Sequence, residues 1–296
     1  MAVSSFTLFL FGLAVGSFLN VLSIRYQADQ RIFDLKTIGG RSRCPHCGKD
    51  LVWYELVPLL SFFIQRGCCR SCGERISWQY PIVELATGLI FALIPFSVFQ
   101  TFQVAFHRID GSLPLWYFFL SGIFLLAGAA LILISAIDFR LKIIPDQSNL
   151  LIAVLGLLAI VVKNYYGLFG EQNGSFLGFY AALFGLRENI WLNHLAGAAF
   201  GLVFFGLIVF LSRGRGMGMG DVKLAGALGL LLGWPDVVLT LMLAFIVGAV
   251  CSIILMLAGK KGMKSMLPFG PFIAIGAFLV IFWGKAIMSG YFSLFP

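Results

Sequence analysis

An all-α polytopic membrane protein of about eight transmembrane helices, carrying one cytoplasmic zinc-ribbon-like loop, is the fold class that the sequence predicts. Three observations predict it. Of 296 residues 60% are hydrophobic and only 11% charged, where soluble domains carry about 25% charged residues. Charge-free apolar runs recur along most of the chain, and four cysteines form two C-x-x-C pairs inside the one long polar segment. A water-soluble globule is excluded, because a core of this chain length cannot hide so much apolar surface. With 31 phenylalanines and six cysteines, disorder and a disulfide scaffold are excluded too.

The apolar runs cover residues 6 to 24, 85 to 106, 115 to 137, 147 to 162, 189 to 212, 224 to 235, 237 to 259 and 265 to 284. A spanning helix needs about 20 apolar residues, so the fourth run is somewhat short and the sixth clearly so. The sixth is expected to be a broken or tilted helix that starts in the preceding glycine loop. No basic stretch precedes the first run, and no small-residue cleavage site stands before Asn20. It therefore reads as a retained helix rather than a removed signal peptide.

Lysine and arginine set the expected orientation. Placing residues 25 to 80 in the cytoplasm and alternating the spans puts Arg25, Arg31, Lys36, Arg41, Arg43, Lys49, Arg66, Arg70, Arg75, Arg140, Lys142, Arg213, Arg215, Lys223, Lys260, Lys261 and Lys264 inside. Only Arg108, Lys163, Arg187 and Lys285 fall outside, a division of the 21 basic residues that predicts both termini outside. The net charge of +8 then follows from topology; no further basic patch asks for nucleic acid, and the expected surrounding is the lipid bilayer.

Residues 25 to 80 hold CPHC at Cys44 to Cys47 and, 21 residues later, CRSC at Cys69 to Cys72. Two such knuckles can place Cys44, Cys47, Cys69 and Cys72 tetrahedrally around a structural Zn²⁺, with Gly48 and Gly73 permitting the tight turns. The separation is one residue beyond the usual range for such ribbons. A reducing cytoplasm disfavours the alternative of disulfides. Cys68 is an adjacent spare that could compete as a ligand, His46 is an expected bystander, and Cys251 is a packing residue in an apolar helix.

Of the thirteen acidic residues, Asp29, Asp34, Asp50, Glu55 and Glu74 fall in the polar loop, and Asp110, Glu171, Glu188 and Asp236 in outer connections. Glu84, Asp138, Asp146 and Asp221 remain, all at the cytoplasmic membrane boundary, where ionisable groups are costly and mark function or pairing. Asp221 follows the glycines of GRGMGMGD, residues 214 to 221, which lack the signature of a phosphate loop. Facing Asp138, at the end of the third run, it would form a two-carboxylate pair that shares one proton, the arrangement with which aspartic proteases activate water. Asp146 is expected to cap the fourth helix, and Lys223 to pair with one of the two catalytic candidates. Asp221 reads equally as an N-cap of the following helix.

Taken in order, GSFLNVLSIR (16 to 25), the paired C-x-x-C knuckles, WQYPIVELATG (78 to 88), AIDFRLKIIPD (136 to 146), GMGDVKL (218 to 224) and PFGPF (268 to 272) resemble the type IV prepilin peptidases, bifunctional leader peptidases and N-methyltransferases of the GxGD class. The resemblance implies a bacterial cytoplasmic (inner) membrane protein whose active site faces the cytoplasm, with Asp138 and Asp221 catalytic. Its implied substrates are prepilins or pseudopilins, with a short basic leader ahead of an apolar helix, and its implied methyl donor is S-adenosylmethionine. Three parts are expected: residues 1 to 24, the first transmembrane helix; 25 to 80, the zinc-binding loop with a possible methyltransferase part; and 81 to 296, the membrane-embedded aspartic peptidase bundle. No nucleotide-binding βαβ pattern marks the donor site, so the expectation is the neighbourhood of the zinc loop and of Gly16, Ser17 and Asn20, with Glu84. Helix packing through small residues is the alternative for these positions. Residues 163 to 190 fit the family pattern poorly and are expected to be an outer-loop insertion. A proton-coupled transporter suits boundary aspartates, but no inverted repeat is evident. A purely structural zinc scaffold leaves those aspartates unexplained.

Overall fold

The computed structural model describes residues 2 to 28, 32, 39 to 102, 114 to 170, 174 to 214, 216 to 259 and 267 to 294. Of the residues weighed above, Arg31, Lys36, Arg108, Arg215, Lys260, Lys261 and Lys264, and Asp29, Asp34, Asp110 and Glu171, lie outside the described residues.

Eight long helices follow one another: α1 Ala2–Arg25, α2 Gln79–Phe102, α3 Leu115–Leu141, α4 Asp146–Tyr165, α5 Ile190–Leu211, α6 Met219–Leu232, α7 Asp236–Leu257 and α8 Gly270–Phe292. All but α6 are long and apolar enough to cross a membrane. A spanning helix satisfies its own backbone hydrogen bonds where lipid offers none. As expected, α6 is short, with 14 residues, and starts inside the glycine motif. The run from 265 to 284 corresponds to a helix displaced toward the C-terminus, 270 to 292, because Lys285 interrupts the charge-free stretch without ending the helix. Likewise α3 continues past residue 137 to carry Asp138 on its last turns.

Helix α3 packs against α1, α2, α4 and α8, while α6 sits between α4 and α5, and α7 lies along α8. The closest contacts run through glycines, as small-residue packing in membranes requires. On α1, a Cβ added to Gly16 would lie 2.7 Å from the Cα of Glu84, so that position serves helix packing. On α5, a Cβ at Gly201 would meet the Ala225 carbonyl oxygen of α6 at 2.5 Å, and one at Gly197 would meet the Gly229 carbonyl at 2.9 Å.

Residues 163 to 190 are not a plain loop. Ser175, Phe176, Leu177 and Ala181 are buried, a 3₁₀ turn covers Gly178–Phe184, and Phe176 packs on Phe102 and Phe124 of the main core. Asp236, expected in an exposed outer connection, is buried at the start of α7 and accepts hydrogen bonds from Ser175 Oγ at 2.5 Å and from the Phe176 amide at 3.1 Å. The segment is folded in because a carboxylate at that depth requires donors.

Replacing Gly201 by Leu is expected to destabilise the bundle by about 1 to 3 kcal/mol, the usual cost of overpacking, seen as a lower melting temperature in detergent. Gly206→Leu on the same helix, where nothing lies within 4 Å, is the control. Equal effects of the two would show that the α5 to α6 approach is not tight.

Candidate active site and four-cysteine module

Asp138 and Asp221 come together from α3 and α6. Asp138 is 5% and Asp221 9% exposed, and they are close enough for each to sense the other's charge. A glycine amide holds one oxygen of each. The Gly270 N–H donates to Asp138 Oδ2 at 2.9 Å, and the Gly218 N–H donates to Asp221 Oδ2 at 3.2 Å. Among the described residues no group donates to either Oδ1.

Each placement has a local cause. Asp221 stands at the third position of α6 and reaches back to the amide of Gly218 at the helix N-cap, the acidic half of a capping interaction. It is thus not the N-cap itself. Gly270 opens α8 with Pro271 behind it, so its N–H belongs to the first turn and has no partner within the helix. A Cβ at Gly270 would lie 2.8 Å from Asp138 Oδ2; only glycine lets the α8 terminus come so near. The PFGPF block counted in the sequence only toward the family resemblance, and nothing in its spacing pointed to this contact.

Two expectations are corrected. Lys223 does not pair with Asp138 or Asp221: its Nζ donates to both oxygens of Asp146 at 2.8 and 2.9 Å. Asp146 does not cap α4, whose N-cap is Pro145 with no side-chain bond; its side chain is 71% exposed and answers Lys223 across the helix gap.

The four predicted cysteines also meet. The Sγ atoms of Cys44, Cys47, Cys69 and Cys72 all lie within 4.8 Å of one another, with Cys44 and Cys72 at 3.9 Å. Tetrahedral Zn²⁺ with bonds near 2.3 Å sets its sulfurs about 3.8 Å apart, so the cluster fits that ion. Matching turns build the two knuckles. The Cys44 and Cys69 amides donate to the Lys49 and Glu74 carbonyls at 3.0 and 2.8 Å, with Gly48 and Gly73 at φ +71° and +73°. The Cys72 and Ser71 backbone lowers Cys69 to about 6. Although the Glu74 backbone favours the Cys72 thiolate, burial and the neighbouring sulfurs push Cys72 up to about 12. Four sulfurs this close can all be thiolates together only beside a cation. Neither Cys68 nor His46 joins the cluster.

Between this module, α1 and the start of α2 lies a cavity of about 580 Å³ lined by Ser17, Phe18, Cys44, Phe62, Tyr80 and Glu84, among others. Glu84 is buried; its Oε2 accepts from the Leu59 amide at 2.8 Å, and Ser17 lines the cavity beside it. Asn20 is directed elsewhere, its Nδ2 donating to the Tyr80 carbonyl at 3.1 Å. No local pattern pointed to Leu59, which stands at a φ of +59° with its amide donating to Glu84.

Residues 10–98 match the family described as the bacterial peptidase A24 N-terminal domain, and residues 124–253 the type IV leader peptidase family. The chain is 33% identical over 288 residues to the prepilin leader peptidase/N-methyltransferase of Bacillus subtilis, covering 97% of each. It is 32% identical over 306 residues to that of Aeromonas hydrophila, covering 97% of this chain and 93% of the relative. No solved structure matches it. The two family matches, together with relatives aligned along nearly the whole length, establish that the chain belongs to the type IV leader peptidase family.

Proposed function

We propose that this membrane protein removes the short basic leader from type IV prepilins or type II secretion pseudopilins at the cytoplasmic membrane face, then methylates the new N-terminal residue from S-adenosylmethionine. The convergence of Asp138 and Asp221 in a dehydrated pocket carries the reading. Two carboxylates in mutual range hold one proton between them. The ionised one takes a proton from water as that water attacks the scissile carbonyl, and the protonated one donates a hydrogen bond to the carbonyl oxygen. The Gly270 and Gly218 amides fix one oxygen of each carboxyl, leaving the other for water and substrate.

In this reading residues 1 to 24 form the first membrane helix and 25 to 80 the zinc loop with its methyltransferase part. Residues 81 to 296 are the peptidase bundle, within the bacterial inner membrane with both termini outside. Arg140, two residues after Asp138, donates to the Ile24 and Tyr26 carbonyls on either side of Arg25, and Lys223, two residues after Asp221, pairs with Asp146; this supports a single catalytic face, and the excess of basic residues there supports its facing the cytoplasm. Cys44, Cys47, Cys69 and Cys72 would hold structural Zn²⁺, which supplies folding free energy to a polar loop too small for a core of its own.

Asp138→Asn and Asp221→Asn are each expected to lower prepilin cleavage at least about 100-fold, the low end of an acid or base contribution, with membrane insertion intact. Asp146→Asn should stay within a few-fold of wild type. A gel-shift assay on purified prepilin checks this, and an active Asp138→Asn beside a dead Asp146→Asn would refute the assignment. Gly270→Ala should reduce cleavage at least about tenfold by displacing Asp138 from its amide, measured in the same assay. A Gly270→Ala enzyme at wild-type rate would remove that amide from the mechanism.

Elemental analysis should find one zinc per chain in wild type, Cys68→Ser and Cys251→Ser, and substantially less in each of the four knuckle variants. Cleavage should survive brief EDTA treatment, because zinc takes no part in it. Immediate loss restored by Zn²⁺ would indicate a metalloprotease, and a metal-free active wild type would end the zinc reading.

A further inference from the structure

The cavity beside the four-cysteine module has an acidic end. Glu84 lies in the second turn of α2, where α1 and α2 touch through Gly16, and its carboxylate is buried against the bundle while still lining the cavity. A carboxylate offers about four lone-pair positions. The Leu59 amide accounts for one, which leaves accepting capacity toward the open space. Much of the rest of the cavity lining comes from the loop, with residues including Ser42, His46 and Glu74. Tyr80 lines the cavity as well, within electrostatic range of both Cys44 and Glu84. Its volume of about 580 Å³ falls within the range of pockets for ligands of nucleoside size.

These two parts of the lining suit two reactants that arrive by different routes. A cleaved N-terminus, tethered to an apolar helix, approaches at the depth where the helices begin. A soluble methyl donor approaches from the loop side. We propose that this cavity is where the two meet, with Glu84 as the catalytic residue of methyl transfer, binding the incoming α-ammonium and accepting its proton. This inference rests on the bifunctional reading above and assigns it a residue.

The transfer balances as follows in charge and atoms. Glu84 takes one proton from the α-ammonium, and the lone pair freed on nitrogen forms the N–C bond to the donor's methyl carbon. The S–C bond breaks with its electron pair remaining on sulfur, so S-adenosylhomocysteine leaves neutral at sulfur and the peptide leaves as a secondary ammonium. The proton on Glu84 passes to water. S-adenosylmethionine supplies the electrophilic methyl group; a buried carboxylate beside the amine supplies the base.

The test uses full-length protein in detergent with purified prepilin, and follows cleavage, methylation, and calorimetric binding of S-adenosylhomocysteine. Glu84→Gln should lower methylation at least about 100-fold while cleavage stays within about threefold of wild type and S-adenosylhomocysteine still binds. Glu84→Asp should recover part of the methylation. Val21→Trp, which places a ring into the cavity from α1, should abolish S-adenosylhomocysteine binding and spare cleavage. Methylation by Glu84→Gln at more than a tenth of the wild-type rate would overturn the role of Glu84. Parallel loss of cleavage and methylation in Glu84→Gln would do so too, by making Glu84 a support for the α1 to α2 contact. Undiminished S-adenosylhomocysteine binding by Val21→Trp would overturn the cavity. Failure of wild type to cleave or methylate prepilin would instead refute the bifunctional reading itself.

Discussion

A polar group inside a helix bundle in lipid has no water to turn to, and this constraint accounts for most of the structure. Thr87, Ser135, Thr240 and Ser252 each return their hydroxyl to the carbonyl four residues earlier, the local solution open to short hydroxylated side chains. Asn193 has a longer reach, donating to the Leu186 and Trp234 carbonyls and accepting from the Trp234 amide. In doing so it ties α5 to the turn between α6 and α7. Asp236 draws the segment around Ser175 into the core for the same reason.

Seen this way, the buried aspartates divide by what their oxygens do. Asp236 has a donor on each oxygen, a satisfied carboxylate that organises the outer end of the bundle. Asp138 and Asp221 each have a donor on one oxygen alone, and in both cases that donor is a glycine amide at a helix start. Positive helix termini beside a pair of carboxylates lower the cost of holding charge in a dry place. The same geometry keeps an unoccupied oxygen on each side of the pair, as chemistry on a third molecule requires.

Helices α1 and α2 are joined to α3 by polar contacts as well as by the buried cluster of Leu19, Leu22, Val83, Leu133 and Ile137. Arg140, two residues after Asp138, donates to the carbonyls of Ile24 and Tyr26 at the end of α1. Gln147, next to Asp146, accepts from the Ile32 amide at 2.9 Å. Helix α1 and the start of the cysteine loop are thereby fixed to the end of α3 that carries Asp138.

The sequence by itself determined the helices, the two cysteine knuckles and the identity of the two facing aspartates, because each rests on local composition or spacing: uninterrupted apolar length, C-x-x-C followed by glycine, and carboxylates at the edge of apolar runs. Even the shortness of α6 was legible. Pairings between distant elements were not, since nothing in a linear pattern states which helices adjoin. Lys223 was therefore matched to the wrong carboxylate, Asp146 was given a capping role that Pro145 occupies, and residues 163 to 190 read as an insertion although Asp236 folds them inward. Tertiary structure alone decided that the Gly270 amide meets Asp138, that the Leu59 amide meets Glu84, and that the cysteine module closes a cavity over α1 and α2. Each of these is a contact between chain segments brought together by packing, where the requirement that a buried charge find a donor selects the partner.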